Sequence, residues 1–394
     1  MNQEVIFCKK CVESNQAYMG SAQHRDQKED TKQRRIVSQD GICSACTYSE
    51  NKKKIDWNER EKELHEILNK YRRNDGYYDV LVPGSGGKDS RFVSDIIKKK
   101  YKMNPLTCTW APHMYTDVGW RNFQTWIASG IDNILFTPNK KIHKKLTQLS
   151  FKNLLHPFQP FVMGQYYFPI KVAQEKKINL IIYGDSYAER GFGGNLHVAS
   201  NSFAPALFTY KDKKSLFFGG VPYEKLKDFD INDNDIYPYM PIKEDSFFSS
   251  NLSVLQLPYY VNYNPQSNYY YSIKHTNFEV NPDGRTEGTY TKYASLDDKI
   301  DGLHYYTWFI KTGRGRATED AAIEVRNKII TREEAVALVK KYDGEFPKKY
   351  YKDILDYLDM EESEFNEIID KFRPKHLWKK SNGKWNLLQA VWKN

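Results

Sequence analysis

Apolar positions recur at helical spacing over 56–73, where Leu64, Ile67, Leu68 and Tyr71 share a face and Asp56 stands as an N-cap. The run YYDVLV (77–82) reads as a short buried strand. A glycine loop follows, then a helix from about Asp89 to Lys100 with Phe92, Val93, Ile96 and Ile97 on one side. Further strands are predicted at 104–110, 132–138 and 179–184, separated by helices near 119–129, 140–150 and 161–176. Residues 200–287 are rich in Tyr, Phe, Asn and Pro and have poor periodicity, so loops and short strands over a crevice are expected there. Helical spacing returns at 331–371, opened by Thr331 and Glu334 in capping-box positions.

Strands alternating with helices predict an α/β fold, a parallel sheet covered on both faces. Such sheets bind ligands at the carboxyl ends of their strands. The loops at 83–90, 110–118 and 184–194 are therefore expected to share one crevice. The divisions expected are 1–55, 56–200 and 201–394, the last holding substrate and being mostly helical. A length of 394 residues suits two or three domains.

Composition changes this picture little. The chain carries 59 basic and 50 acidic residues, a net charge of +9, which admits anionic partners without choosing among them. Its 29 Tyr, 21 Phe and 8 Trp serve cores first and polar, ring-shaped ligands second. The opening MNQEVIFCKKC has no apolar h-region, and no apolar run approaches the roughly 20 residues that span a bilayer. A cytoplasmic protein with reduced thiols, not bound to a membrane, is expected.

Cysteine spacing carries more. Cys8-x-x-Cys11 and Cys43-x-x-Cys46 form two knuckles, and Cys108 is left over. Two such knuckles in a reducing compartment predict a tetrahedral four-cysteine zinc site. All four ligand positions are cysteine, so the site is closed and structural. The polar stretch 12–42 between the pairs reads as a loop that the metal ties down.

The glycine loop, GSGGKDS at 84–90, presents backbone N–H groups and a helix N-terminus to an anion. Gly84, Gly86 and Gly87 permit close approach; Ser85, Ser90 and Lys88 add donors and charge. A Walker loop would need Ser or Thr after Gly87-Lys88, and Gly at position 82; Asp89 and Val82 stand there. A dinucleotide loop would need Gly or Ala at position 89, which is again Asp89. The stretch SGGKDS (85–90) instead resembles the PP-loop signature S-G-G-x-D-S of the N-type ATP pyrophosphatases, which are adenine nucleotide alpha hydrolase-like. That resemblance implies that residues 84–90 hold the β- and γ-phosphates of ATP and that cleavage falls between α and β. It also implies Mg²⁺ held by Asp89 with a second carboxylate, for which Asp185 stands just past a strand, and adenine read near Thr109 and Trp110.

The cysteine pairs, GSGGKDS, YGDSYAERGFGGN (183–195) and the block 288–347 together resemble the N-acetyl sugar amidotransferases, the PseA/WbpG-like enzymes of pseudaminic acid, legionaminic acid and O-antigen pathways. The pattern departs at Asp185 and Arg190, where Glu and Tyr are expected. The resemblance implies that the acetamido oxygen of an N-acetyl sugar is adenylylated and then replaced by nitrogen from ammonia, giving an acetamidino sugar, AMP and pyrophosphate. It implies catalysis by Lys88, Asp89 and Asp185, and ammonia from a separate glutaminase and ammonia-channel partner. Glu189, Lys292, Tyr293, Arg314 and Arg316 are the substrate candidates, with Arg314 and Arg316 suited to an anionic sugar. Asp297, Asp298, Asp301 and His304 lie nearby; the aspartates also fit a helix N-terminus. The rival reading is a tRNA-modifying PP-loop enzyme of lysidine or thiolation type, with thiolation disfavoured because only Cys108 remains. Nucleic acid is otherwise not an expected partner.

Overall fold

The computed structural model describes residues 4–16, 37–185, 187–190 and 201–393. Most of the expected loop at 12–42 and the glycines at 191–195 lie outside them.

The chain begins with Cys8 and Cys11, then Cys43 caps helix α1 (Ser44–Lys52). Helix α2 (Trp57–Tyr71) starts where Asp56 accepts from the N–H groups of Asn58 and Glu59, as its sequence position predicts. Strand β1 (Val80–Pro83) leads through the glycine loop into α3 (Lys88–Lys99). Next come β2 (Pro105–Trp110), α4 (Asp117–Ile127), β3 (Asn133–Phe136), α5 (Lys140–Leu154), α6 (Gln159–Lys176), β4 (Leu180–Tyr183) and a single turn, α7 (Tyr187–Arg190).

Strand β5 (Ser253–Gln256) then pairs parallel with β4, giving the sheet order β3-β2-β1-β4-β5. The sequence did not predict this strand. Its four residues are buried or half-buried and lie in a stretch whose aromatic and amide side chains hide any alternation. All pairings in this sheet are parallel. Alternate residues serve opposite faces. Val80, Val82, Leu180, Ile182 and Leu255 join α2 and α3 in one core, while Leu81, Ile181 and Val254 meet α6 in another. Strands buried on both faces are why these segments read as continuous apolar runs.

Helix α8 (Pro265–Thr276) lies along α3. The C-terminal region holds α9 (Asp301–Thr312), α10 (Arg316–Arg326), α11 (Arg332–Tyr342), α12 (Tyr351–Leu358) and α13 (Glu362–Lys371). The Thr331–Glu334 capping box forms at the start of α11. The four N-terminal cysteines pack on Ala321, Ala322, Ala335 and Val339 of α10 and α11, so the two ends of the chain share one apolar cluster. Among the described residues, no helix is long and apolar enough to cross a membrane.

Candidate active site

The glycine loop turns from β1 into α3 at the carboxyl edge of the sheet. Gly86 has φ +86°, and a Cβ there would sit 3.0 Å from the Phe123 Cα. A Cβ on Gly84 would meet that of Ser90 at 2.2 Å. Both positions need glycine. The Ser90 hydroxyl accepts from Gly86 N–H (3.2 Å) and donates to the Gly87 carbonyl (3.1 Å). Arg91 is wholly buried; its Nε donates to the Gly86 carbonyl (2.8 Å), and its other nitrogens reach the carbonyls of Asn122 and Thr276. A buried guanidinium thus braces the loop from below.

Asp89, in the first turn of α3, is held by three donors. Its Oδ1 accepts from the Tyr263 hydroxyl (2.7 Å) and the Asn268 amide (3.2 Å), and its Oδ2 pairs with Lys88. Burial pushes its carboxyl up, but the Lys88 charge and these hydrogen bonds outweigh it and hold the group below the usual carboxylate range. Tyr263 and Asn268 have no motif around them, and no signal in a single sequence marks them. Asp185 follows β4 and shares a cavity wall with Asp89.

The larger cavity measures ≈ 380 Å³. One wall is the loop 83–90 with Tyr183 and Asp185; the other is built from Tyr293, Asp297, Asp301, His304, Tyr305 and Arg316. Phe158, Phe161 and Trp308 supply aromatic surface. A smaller cavity of ≈ 170 Å³ adjoins it, lined by Pro83–Ser85, Cys108, Trp110 and Tyr166. The expected crevice thus forms from the 83–90 and 184–185 loops; in place of most of the 110–118 loop, Gly119 and Asn122 face the larger cavity.

The other predicted residues divide. Trp110 lies against Gly164, where a Cβ would come within 2.1 Å of the indole, and borders the smaller cavity. The Thr109 hydroxyl accepts from Asn133 (3.1 Å) in β3. Tyr293 stacks on Tyr269 (4.6 Å between centroids), and Lys88 Nζ lies 5.3 Å over its ring. Arg316 opens α10 inside the cavity, with Nε on Asp320 (2.9 Å) and Nη1 on the Tyr305 hydroxyl (3.3 Å).

Three candidates differ from expectation. Arg314 is wholly buried, with Nε and Nη2 on the Glu13 carboxylate at 2.7 and 2.8 Å and Trp308 beneath it. That pairing makes it an internal brace rather than an arm for an anionic sugar. It stands two residues from Arg316, but on the other side of the turn into α10. Lys292 is exposed and lies outside the cavity lining. Glu189 does border the site, yet its carboxylate is buried against the Lys52 ammonium at the end of α1. Lys52 also donates to the Tyr263 carbonyl (2.6 Å).

Burial is the main force on the titratable groups of the far wall. It raises Asp297, with the Ser85 side chain of the loop opposing it. Asp301 is raised further, first by burial and then by the nearby charges of Asp297 and Asp298. Burial and the Lys311 charge hold His304 at about 3. Asp298 faces away, accepting from the backbone N–H of His113 (2.8 Å) and Ile300 (3.0 Å) and lying 2.7 Å from the His113 ring Nδ1.

Outside this crevice, the four cysteines converge. All their sulfurs lie within 4.8 Å of one another, with Cys8–Cys46 at 3.8 Å and Cys11–Cys43 at 3.7 Å. The set can hold a metal ion. Arg326 of α10 lies 3.9 Å from the Cys11 sulfur and donates to the Glu189 carbonyl (2.6 Å).

Residues 287–391 match the family described as LPS biosynthesis protein WbpG-like, C-terminal domain. The C-terminal region is thus similar to that domain over about a quarter of the chain. This region supplies the far wall of the cavity, from Tyr293 to Glu319. An uncharacterized protein of Methanocaldococcus jannaschii is 33% identical over 91 residues, covering 22% of this chain; the chain spans 31% of that relative's length. Two solved structures show weaker likeness. The NH3-dependent NAD synthetase from Campylobacter jejuni, in complex with nitrate, aligns at TM-score 0.28 and 16% identity, over 35% of this chain and 62% of its own. The U34-tRNA thiolase NcsA from Methanococcus maripaludis, with its [4Fe–4S] cluster, aligns at 0.30 and 11%, over 77% and 87%. The loop signature in its strand–helix setting and the parallel sheet form the arrangement that the PP-loop resemblance implies.

Proposed function

We propose that this protein is an AMP-forming amidotransferase that converts the acetamido group of an N-acetyl sugar into an acetamidino group. One observation carries the reading: the WbpG-like domain forms the wall opposite the PP-loop, so an acceptor resting on that domain faces the phosphates of ATP. Adenosine is assigned to the smaller cavity beside Trp110, with phosphates on the loop amides, Lys88 and the N-terminus of α3. Asp89 and Asp185 would hold Mg²⁺, which would supply screening of the phosphate charge. The aromatic faces of Phe158, Phe161 and Trp308 suit the apolar faces of a sugar ring.

The acetamido oxygen attacks the α-phosphorus and pyrophosphate leaves. Ammonia then adds to the activated carbon and AMP leaves with the C–O electron pair. A separate glutaminase with an ammonia channel is the proposed donor. The pathway classes that fit are those making pseudaminic or legionaminic acids or O-antigen sugars. The cysteine set is read as structural zinc: Zn–S bonds of about 2.3 Å in a tetrahedron put sulfurs about 3.8 Å apart, close to the 3.7 and 3.8 Å found.

The test supplies ATP, Mg²⁺, ammonium and a panel of N-acetylated sugars, and follows AMP together with the mass change for replacing oxygen by NH. Sugar-dependent AMP with that mass change supports the reading. AMP formed only when tRNA is supplied overturns it in favour of a tRNA-modifying enzyme.

A further inference from the structure

Asp301 is the first residue of α9, 5% exposed, and it lines the larger cavity. Its Oδ2 is buried without a hydrogen-bond partner. An unpaired buried carboxyl oxygen is costly, and such groups are rare without a role. Asp297 and Asp298 lie close enough to repel it, and the nearest counter-charge, Arg316, is already engaged by Asp320. The pocket is therefore short of positive charge beside a partnerless acceptor.

A divalent metal does not suit this deficit. Among the described residues, only the cysteines bring three or more ligand atoms within 4.8 Å of one another. A small cation that donates hydrogen bonds to separated acceptors suits it better, and the rings of Tyr305, Trp308 and His304 on the same wall favour a cation over an anion. The position is right for the second half-reaction, because Asp297 next door and Ser85 of the PP-loop line the same cavity.

The geometry points to Asp301, with Asp297, as the site that captures ammonium and frees it as ammonia beside the adenylylated sugar. The inference rests on the amidotransferase reading above. Asp301 takes one proton from NH4⁺. The NH3 lone pair then forms the C–N bond to the imidate carbon, the C–O bond breaks, and AMP leaves with its electron pair. The extra proton on the new nitrogen passes to Asp297. The elevated proton affinity of both carboxyls matches this work, since an ordinary carboxylate is a weak base toward ammonium.

The experiment compares wild type, Asp301→Asn and Asp301→Glu in two assays. Sugar-dependent exchange of pyrophosphate into ATP reports adenylylation and needs no nitrogen. Product formation is titrated with ammonium and separately with hydroxylamine, which is uncharged at neutral pH. For Asp301→Asn we expect exchange lowered by no more than about threefold, an ammonium KM raised roughly thirtyfold or more, and hydroxylamine turnover lowered no more than exchange; Asp301→Glu should recover part of the ammonium KM. An unchanged ammonium KM in Asp301→Asn, or equal losses with exchange, ammonium and hydroxylamine, overturns the inference while leaving the amidotransferase reading in place. Absence of sugar-dependent exchange in the wild type overturns both.

Discussion

Glu13 and Arg314 meet in a two-pronged ion pair at 2.7 and 2.8 Å, both side chains buried and 301 residues apart in sequence. The pair docks the N-terminal cysteine segment against the turn between α9 and α10, the same turn that places Arg316 in the cavity.

Removing one partner leaves the other charged and buried. Arg314→Met should destabilise the fold by roughly 3–5 kcal/mol, and Glu13→Gln by a comparable amount. The double variant should lose much less than the sum. Denaturant unfolding of the four proteins checks this; additive losses would deny the coupling.

Asp89→Asn should lower AMP formation by roughly 100-fold or more while the metal content of the cysteine set is unchanged. Tyr263→Phe removes one of the three donors to Asp89, and a loss of about tenfold is expected. Steady-state AMP release with metal analysis on the same samples measures both.

Gly86 and Gly87 should respond differently to alanine. At Gly86, φ is +86° and the new methyl meets the Phe123 backbone at 3.0 Å, so a cost of at least about 1–2 kcal/mol is expected with loss of nucleotide binding. At Gly87 the nearest atom is the Ser85 hydroxyl at 3.7 Å, and thermal stability should be nearly unchanged. Melting curves with and without ATP separate the two.

His304 is held at about 3 rather than 6.5. As pH falls, the unfolded chain takes up this proton first. The contribution is therefore complete above about 6.5 and is lost progressively toward about 3. His304→Phe should flatten stability against pH in that window, read as the difference between the two proteins. A parallel pair of curves would contradict the assignment.

Much of the site was legible. Asp89 within SGGKDS separated the loop from its Walker and dinucleotide relatives, because each alternative demands another residue at that position. The cysteine spacing foretold the convergent sulfurs. Local signals also found the caps at Asp56 and Thr331. What was hidden depends on partners distant in sequence. Arg314 and Arg316 look equivalent in KTGRGR, and only Glu13 tells them apart. Tyr263 and Asn268 reach Asp89 because α8 lies along α3, a packing that no short motif encodes. Strand β5 escaped because it is a four-residue segment, SVLQ, set in a stretch of aromatic and amide side chains that masks its apolar run.

The crevice draws on residues from Pro83 to Glu319. A nascent chain leaving the ribosome will have its phosphate cradle roughly 10 to 45 seconds before the opposite wall exists, at elongation rates of roughly 5–20 residues per second. During that interval the loop faces solvent with no acceptor surface across from it. Under the proposed function, splitting the site between early and late parts of the chain leaves the loop without an acceptor wall until the polypeptide is nearly finished.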